Sequence, residues 1–422
     1  MNAATTGTAG TPGTPGTAGG RRLAIVTHYW APHVGGIETV AREQALRLAD
    51  LGWQVDVFTS RLGPDPARSM DGPIRLHRYR CLNWQERRLS VPVPLLSPRM
   101  LSDLVGYARG ADVILVHGHC YLGSVFGARA ARAAGRPLVV VQSNPFVDYP
   151  FPLNAIERAV DRTIGRWVLH QARVVVCVSR FVEAFVRQIA PLASTKMIYS
   201  GVEIERFHPA DPPPPGSAPP ATAGLHVLTL RRLVPRNGVD VLVEAWRRAS
   251  LGEKATLTIA GAGPELGRLK HLTHDMPEVR FLGYVPDEQL PELYRSADLF
   301  VVPSVSGEGF GIVAAEALAS GIPVVATDGG ATGELVRHGS DGLIVPARDA
   351  DALAAAITRL GRDRALLASM AKAARARRPQ LCWQAAVGNL AATLESVTAP
   401  APPGLALTGS PLTSPEPRGV DL

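Results

Sequence analysis

Short apolar runs rich in β-branched residues alternate along the chain with longer stretches of helical period. In the first half the runs fall at 23–27, 54–59, 112–117, 137–141 and 173–178, with amphipathic stretches such as 39–51 and 157–171 between them. The second half repeats the alternation, with runs at 225–230, 256–260, 279–282, 299–302, 323–326 and 343–345. Its helical stretches lie near 239–249, 287–295, 310–319 and 350–360. Repeated strand–helix units predict an α/β protein with parallel, doubly wound sheets. Residues 211–224, DPPPPGSAPPATAG, interrupt the pattern half-way and read as a stiff Pro-rich linker between two lobes, 21–210 and 225–378. Residues 1–20 and 398–422 are biased to Thr, Gly, Ala and Pro and read as disordered tails, because they cannot bury enough apolar surface to fold. Two such lobes face each other across a cleft, and ligands of such sheets bind outside the carboxyl ends of the strands.

Composition narrows the class. Of 422 residues, 46% are apolar and 19% charged, which excludes global disorder. No apolar run approaches the ~18–20 residues of a membrane-spanning helix. The first twenty residues have neither the early charge nor the apolar centre of a signal peptide. Cys81, Cys120, Cys177 and Cys382 lie far apart without a CxxC, so neither a disulfide framework nor a structural zinc site is expected, and a reducing cytoplasm fits. The formal charge of +7 suits anionic substrates or a peripheral contact with the inner face of a membrane. Arg-rich segments at 75–80 and 86–88 are the candidates for that contact; ordinary solvated surface is the alternative. No basic stripe is interleaved with aromatics, so nucleic acid is not an expected partner.

Candidate chemistry centres on Glu308-Gly-Phe-Gly-Ile-Val-Ala-Ala-Glu316. A Gly-rich loop here leaves a strand and opens a helix, so free N–H groups near Phe310–Ile312 can point at an anion, helped by the helix dipole. Two carboxylates beside such a site, Glu308 and Glu316, suit the hydroxyls of a nucleotide-sugar; a loop glutamate and an ordinary helix glutamate are the plainer reading. Gly35 and Gly36 follow the first strand and permit close backbone approach to a phosphate or sugar, or form a simple turn. His117 and His119 end the third run of the first half, where imidazoles face the cleft; a structural histidine is the commoner case. Asp349 and Asp351 form a DxD at a helix start, where acidic caps are expected. The chain lacks GxxxxGK[ST], GxSxG and HExxH.

The whole stretch 279–342, from VRFLGYVPDEQLPELYRSADLFVVPSVSGEGFGIVAAEALASGIPVV to ATDGGATGELVRHGSDG, closely resembles the C-terminal lobe of glycosyltransferase family 4. In that family of retaining enzymes the E-x7-E pair with an FG(I/V) turn is the signature, and the similarity extends over about 21–397, weaker in 60–109. The resemblance implies a GT-B fold: two Rossmann-like lobes, acceptor-side first and donor-side second, with a last helix at 379–397 returning to the first lobe. It implies transfer of a hexosyl unit from a UDP- or GDP-linked sugar to an acceptor hydroxyl, with retained configuration. The acceptor is expected to be lipid-linked, a cell-wall precursor or a secondary metabolite. No cofactor and no metal are implied.

The resemblance also assigns roles. Glu308 comes near the donor-sugar hydroxyls and Glu316 to the ribose, with Gly309, Phe310, Gly311 and Ile312 lining the donor site. Gly35 and Gly36 match the family's P-x-x-GGIE loop, and Val285, in Tyr284-Val285-Pro286, lies near the base. Of the two histidines, His119 is expected beside the donor sugar, as a catalytic residue with Glu308. One segment departs from the family. Relatives read G-R-L-x-x-x-K-G where this chain has RRLVPRNG: the Gly is Arg231, Arg232 is kept and the Lys is Asn237. A leaving diphosphate needs positive charge, so Arg232 and Arg236 are expected to clamp it, Asn237 adding a neutral hydrogen bond. The alternatives are a nucleotide-sugar epimerase or phosphorylase of the same fold and a catalytically silent scaffold. Epimerases lack the GGIE, HxH and E-x7-E set in this order.

Overall fold

The computed structural model describes residues 20–33, 35–84, 93–145, 152–209, 224–252 and 254–399. The expected tails and linker therefore lie outside the described residues except at their edges. The first sheet contains β1 (Arg22–Val26), β2 (Gln54–Arg61), β3 (Arg68–Asp71), β4 (Ile74–Leu82), β5 (Leu95–Leu96), β6 (Val113–His117), β7 (Leu138–Gln142), β8 (Val174–Cys177) and β9 (Thr195–Met197). Their order is β3-β4-β2-β1-β6-β7-β8-β9, with β5 on β4. The second contains β10 (His226–Leu230), β11 (Thr256–Ala260), β12 (Val279–Gly283), β13 (Leu299–Val302), β14 (Val324–Thr327) and β15 (Gly342–Val345), in the order β12-β11-β10-β13-β14-β15. These are the two Rossmann-like sheets of a GT-B fold.

Central strands such as β6 (VILVH), β7 (LVVVQ) and β13 (LFVV) are buried at every position, as parallel strands covered by helices on both faces require. Strand order reverses between β1 and β6 in one lobe and between β10 and β13 in the other. Those two reversal points are where crevices open, and the glycine, histidine, arginine and glutamate motifs all follow the four strands that flank them.

Several elements differ from the expected ones. The Arg-rich stretch at 75–80 is part of β4, whose Ile74 and Leu76 are buried on either side of the exposed Arg75. The single helix expected at 157–171 is two, Leu153–Val160 and Arg166–Gln171, joined by a π-turn at Asp161–Gly165 that turns Asp161 and Gly165 inward. Helix Ile312–Ala319 starts two residues late, because Gly311 occupies the left-handed region at φ +85°.

Contacts between the lobes are specific. The Glu334 carboxylate accepts the N–H groups of Arg180 and Phe181 at 2.8 and 2.7 Å, at the start of helix Arg180–Ile189. Ser179 Oγ donates to the Gly309 carbonyl at 2.7 Å. Helix Trp383–Thr398 lies across helix Gly36–Asp50 of the first lobe, and Trp383, Val387 and Leu390 join the core that contains Val40 and Ala41. Among the described residues no helix is long and apolar enough to cross a membrane.

Candidate active site

The loop after β13 and the turn after β10 build one wall. The Glu308 carbonyl accepts Ala331 N–H at 2.9 Å, which holds the loop against the next strand's exit. At Gly311 a side chain would collide with Thr332 Oγ1, 2.8 Å from a Cβ, in a backbone conformation that already favours glycine. The Glu308 carboxylate is ion-paired with Arg231 and accepts Ser304 Oγ at 3.3 Å. Burial raises the Glu308 carboxyl, but Arg231 outweighs it and holds the group below its ordinary range. The Arg231 side chain is only 6% exposed, and its Nε and Nη1 have no hydrogen-bond partner among the described residues.

Arg231 reaches its position because the neighbouring turn is self-bonded. Asn237 Nδ2 donates to the Arg232 carbonyl at 2.7 Å, and Asn237 Oδ1 lies 3.4 Å from Arg231 Nη2. Arg232 is exposed at the pocket. Arg236 does not line it. Its carbonyl accepts Val305 N–H at 2.8 Å, and its charge reaches Glu308 only as a secondary influence. Arg231 is thus the cation beside Asn237 and Glu308, while Arg236, expected with Arg232 at the diphosphate, is not among the residues that line this pocket. The sequence signal for Arg231 is the Gly-to-Arg departure, which adds a charge as well as removing a glycine.

The first lobe supplies the facing wall. Gly36 begins helix Gly36–Asp50, and a Cβ there meets nothing within 4 Å, whereas one on Gly35 would strike Glu38 Oε2. Glu38 is buried and held below its ordinary range: burial pushes it up, but His33, at 3.2 Å, and His28, at 3.4 Å, more than offset this. Gly309 approaches so closely that a Cβ would lie 2.0 Å from the Ser143 carbonyl oxygen. Between the walls is a pocket of about 230 Å³ lined by Gly36, Ser143, Asn144 and Ser200 on one side. Arg231, Arg232, Asn237 and Glu308–Ile312 line the other, so Gly309, Phe310, Gly311 and Ile312 are all present.

The remaining expected residues stand outside that lining. His117 is fully buried, its ring nitrogens have no partner among the described residues, and burial, aided by His28, pushes its pKa down to about 3, so the ring is neutral. His119 is also buried: Nδ1 meets Gln142 Oε1 at 3.0 Å and Nε2 meets Asp161 Oδ1 at 2.9 Å. Gln142 Nε2 donates in turn to the Asn144 carbonyl at 2.7 Å. A chain of hydrogen bonds therefore runs from Asp161 through His119 to the loop that lines the pocket. Glu316 accepts Tyr294 O–H at 2.7 Å, and its pKa is raised to about 7, mainly by burial, against the lowering effect of that bond. Val285 is half-buried against the core beside the exposed Tyr284. Asp349 caps helix Ala350–Arg362 through Ala352 N–H at 2.8 Å.

Comparison with known proteins fits this geometry. Residues 220–377 match the family model described as "Glycosyl transferases group 1", and residues 34–206 match "Glycosyltransferase Family 4". A GDP-mannose-dependent alpha-(1-6)-phosphatidylinositol monomannoside mannosyltransferase of Mycobacterium tuberculosis is 31% identical over 84% of this chain and 92% of its own length. The chain belongs to glycosyltransferase family 4. It is a GT-B glycosyltransferase of the nucleotide-sugar-dependent, hexosyl-transferring class. A D-inositol 3-phosphate glycosyltransferase of Thermobispora bispora is 29% identical over 85% of this glycosyltransferase and 89% of its own length. The fold is similar to that of sucrose-phosphate synthase from Thermosynechococcus elongatus, with a TM-score of 0.73 at 23% identity, covering 89% and 99% of the two chains. It is also similar to Anabaena HepE in complex with UDP, with a TM-score of 0.70 at 22% identity, covering 89% and 100%.

Proposed function

We propose that this glycosyltransferase moves a hexosyl unit from a GDP- or UDP-linked sugar to an acceptor hydroxyl with retention of configuration. The observation that carries the reading is the pairing across one small pocket of Gly36 with the Arg231, Arg232 and Glu308–Ile312 set. The diphosphate lies against Arg232, the unpartnered edge of Arg231 and the N–H groups that open helix Ile312–Ala319. Positive charge placed there stabilises the leaving diphosphate as its bond to the sugar breaks. Glu308, kept ionised by Arg231, accepts donor-sugar hydroxyls, and Glu316 accepts the ribose. His119 acts as a positioning residue, through Gln142, on the Asn144 loop.

The similarity to a GDP-mannose-dependent mannosyltransferase puts GDP-mannose first in a donor screen, with UDP-linked hexoses second. Incubation with each donor and candidate acceptors, with nucleotide release and NMR of the product, tests the reading. The expected product carries the donor's anomeric configuration and forms in the presence of EDTA, because guanidinium and amide groups supply the charge. An inverted product, or strict dependence on a divalent cation, overturns it.

A further inference from the structure

A second, larger site lies beside the donor pocket on the first lobe. Strands β2, β3, β4 and β5 and the start of helix Arg99–Ala108 frame two adjoining hollows of about 790 and 780 Å³, which share Arg61, Arg80 and Ser97. The first hollow begins at His33, whose ring contacts Glu38 on the helix that Gly36 opens. The groove therefore leads away from the donor pocket.

Its lining is strongly basic. Arg61, Arg68, Arg78, Arg80 and Arg99 face it, against a single acid, Asp103, which is already bonded by Tyr79 O–H at 3.1 Å. Arg78 is fixed by Ser69 Oγ at 2.5 Å and Asp65 at 3.8 Å. Arg61, Arg68, Arg80 and Arg99 have no hydrogen bond or ion pair from their side chains among the described residues. Nearby arginines outside the groove are paired: Arg42 with Asp71 at 2.8 Å, and Arg75 with Asp56 at 2.5 Å.

Two local arrangements cost stability as long as no anion is present. Arg61 and Arg80 are register partners on the parallel strands β2 and β4, so like charges stand side by side. Arg99 is the first residue of a ten-residue helix with no acid in its first turn, where the dipole disfavours a cation. A phosphate relieves both, because its oxygens match the guanidinium fork. Leu62, Leu82 and Leu95 line the first hollow, with Leu82 64% and Leu95 45% exposed, which suits an apolar portion next to the charge.

We propose that this groove binds the phosphate of a phosphate-bearing acceptor, whose hydroxyl then points past His33 into the donor pocket. The inference rests on the glycosyltransferase reading and adds the acceptor's chemical class. A soluble sugar or cyclitol phosphate and a phospholipid headgroup present the same chemistry. The test uses the full chain, the pair Arg80→Gln/Arg99→Gln, and a charge-matched control on the other lobe, Arg247→Gln/Arg268→Gln. Calorimetry with D-inositol 3-phosphate and with unphosphorylated inositol is one arm. Sedimentation with phosphatidylinositol-containing and pure phosphatidylcholine vesicles is the other.

The expected result is that one phosphate-bearing probe binds, at least about tenfold more weakly to the groove pair and within about twofold of wild type for the control. The arm that responds identifies the source. Should the groove pair melt differently from wild type, Arg68→Gln/Arg80→Gln replaces it. Binding to neither probe, equal loss in both variant pairs, or equal binding of unphosphorylated inositol or phosphatidylcholine overturns the proposal. GDP and UDP binding is measured alongside. If wild type binds neither nucleotide, the glycosyltransferase reading fails; if nucleotide binding is intact and the groove variants change nothing, only the acceptor inference fails.

Discussion

Arg231 and Glu308 form a buried ion pair that joins the end of β10 to the loop after β13, so both sides of the second lobe's crevice are tied by one contact. Glu308 is thereby held ionised and oriented by the protein itself, and Arg231 Nε and Nη1 have no hydrogen-bond partner among the described residues. Removing one partner of such a pair leaves an uncompensated buried charge, a loss of about 3–5 kcal/mol. Arg231→Ala is expected to lower stability by that order in denaturant unfolding and to slow transfer by more than tenfold. Arg236→Ala is expected to leave stability within about 0.5 kcal/mol. A large stability loss for Arg236→Ala with none for Arg231→Ala would reverse the assignment.

Glu316 titrates where enzymes are assayed. Its carboxyl is raised to about 7, chiefly by burial, from an ordinary value of 4.5. A raised folded-state value means that this group's contribution to stability is complete below 4.5 and is lost as pH rises through 7. Ligand binding should move the other way, because a ribose hydroxyl donates to the ionised form. Affinity for a nucleotide sugar is expected to rise several-fold between pH 6 and 8, and the pH slope to vanish in Glu316→Gln. Calorimetry at three pH values checks it; a slope unchanged in the variant would remove Glu316 from the donor site.

His119 is expected to act on turnover rather than on nucleotide affinity. His119→Ala cuts the hydrogen-bonded chain from Asp161 to the Asn144 carbonyl, so kcat should fall more than tenfold while the nucleotide Kd stays within about threefold. His119→Asn, which keeps a side chain able to donate to Gln142, should recover part of the loss. A purely structural histidine would instead change Kd, kcat and melting temperature together.

Gly309 and Gly36 should respond in opposite ways. Gly309→Ala drives a Cβ to 2.0 Å from the Ser143 carbonyl oxygen, so the lobes cannot close as they are, and transfer should fall by orders of magnitude. Gly36→Ala meets no atom within 4 Å and begins a helix, so thermal stability should hold or rise. Its methyl group enters the donor pocket, so the cost should appear as weaker nucleotide-sugar binding. Melting curves and donor titrations of the two variants separate the cases.

Much of the fold was legible because the central strands are continuous apolar runs set between amphipathic stretches; β6, β7 and β13 needed nothing more. The edge was not. In β4 Arg75 stands between Ile74 and Leu76 and further arginines follow at 78 and 80, and the charge obscured the period-two pattern. The π-turn at Asp161–Gly165 has no composition signal, yet it is what carries Asp161 to His119. The Gly-rich loop with Glu308 was readable from spacing, since a strand, a glycine turn and a helix leave little choice of geometry. Arg231 was not, because a side chain's destination depends on the partner it finds across the sheet, here a carboxylate 77 residues later in the chain.

The return of helix Trp383–Thr398 to the first lobe gives the chain two crossings between its halves. Near the first, Pro209 packs by Gly321 and Arg375; near the second, Arg378 Nη2 donates to the Ile204 carbonyl at 2.6 Å. The end of the first lobe, Ile204 to Pro209, and the returning segment, Arg375 to Arg378, therefore touch each other. The chain's departure from the first lobe and its return share one patch of contacts, so a substitution at Arg378 is felt at both connections.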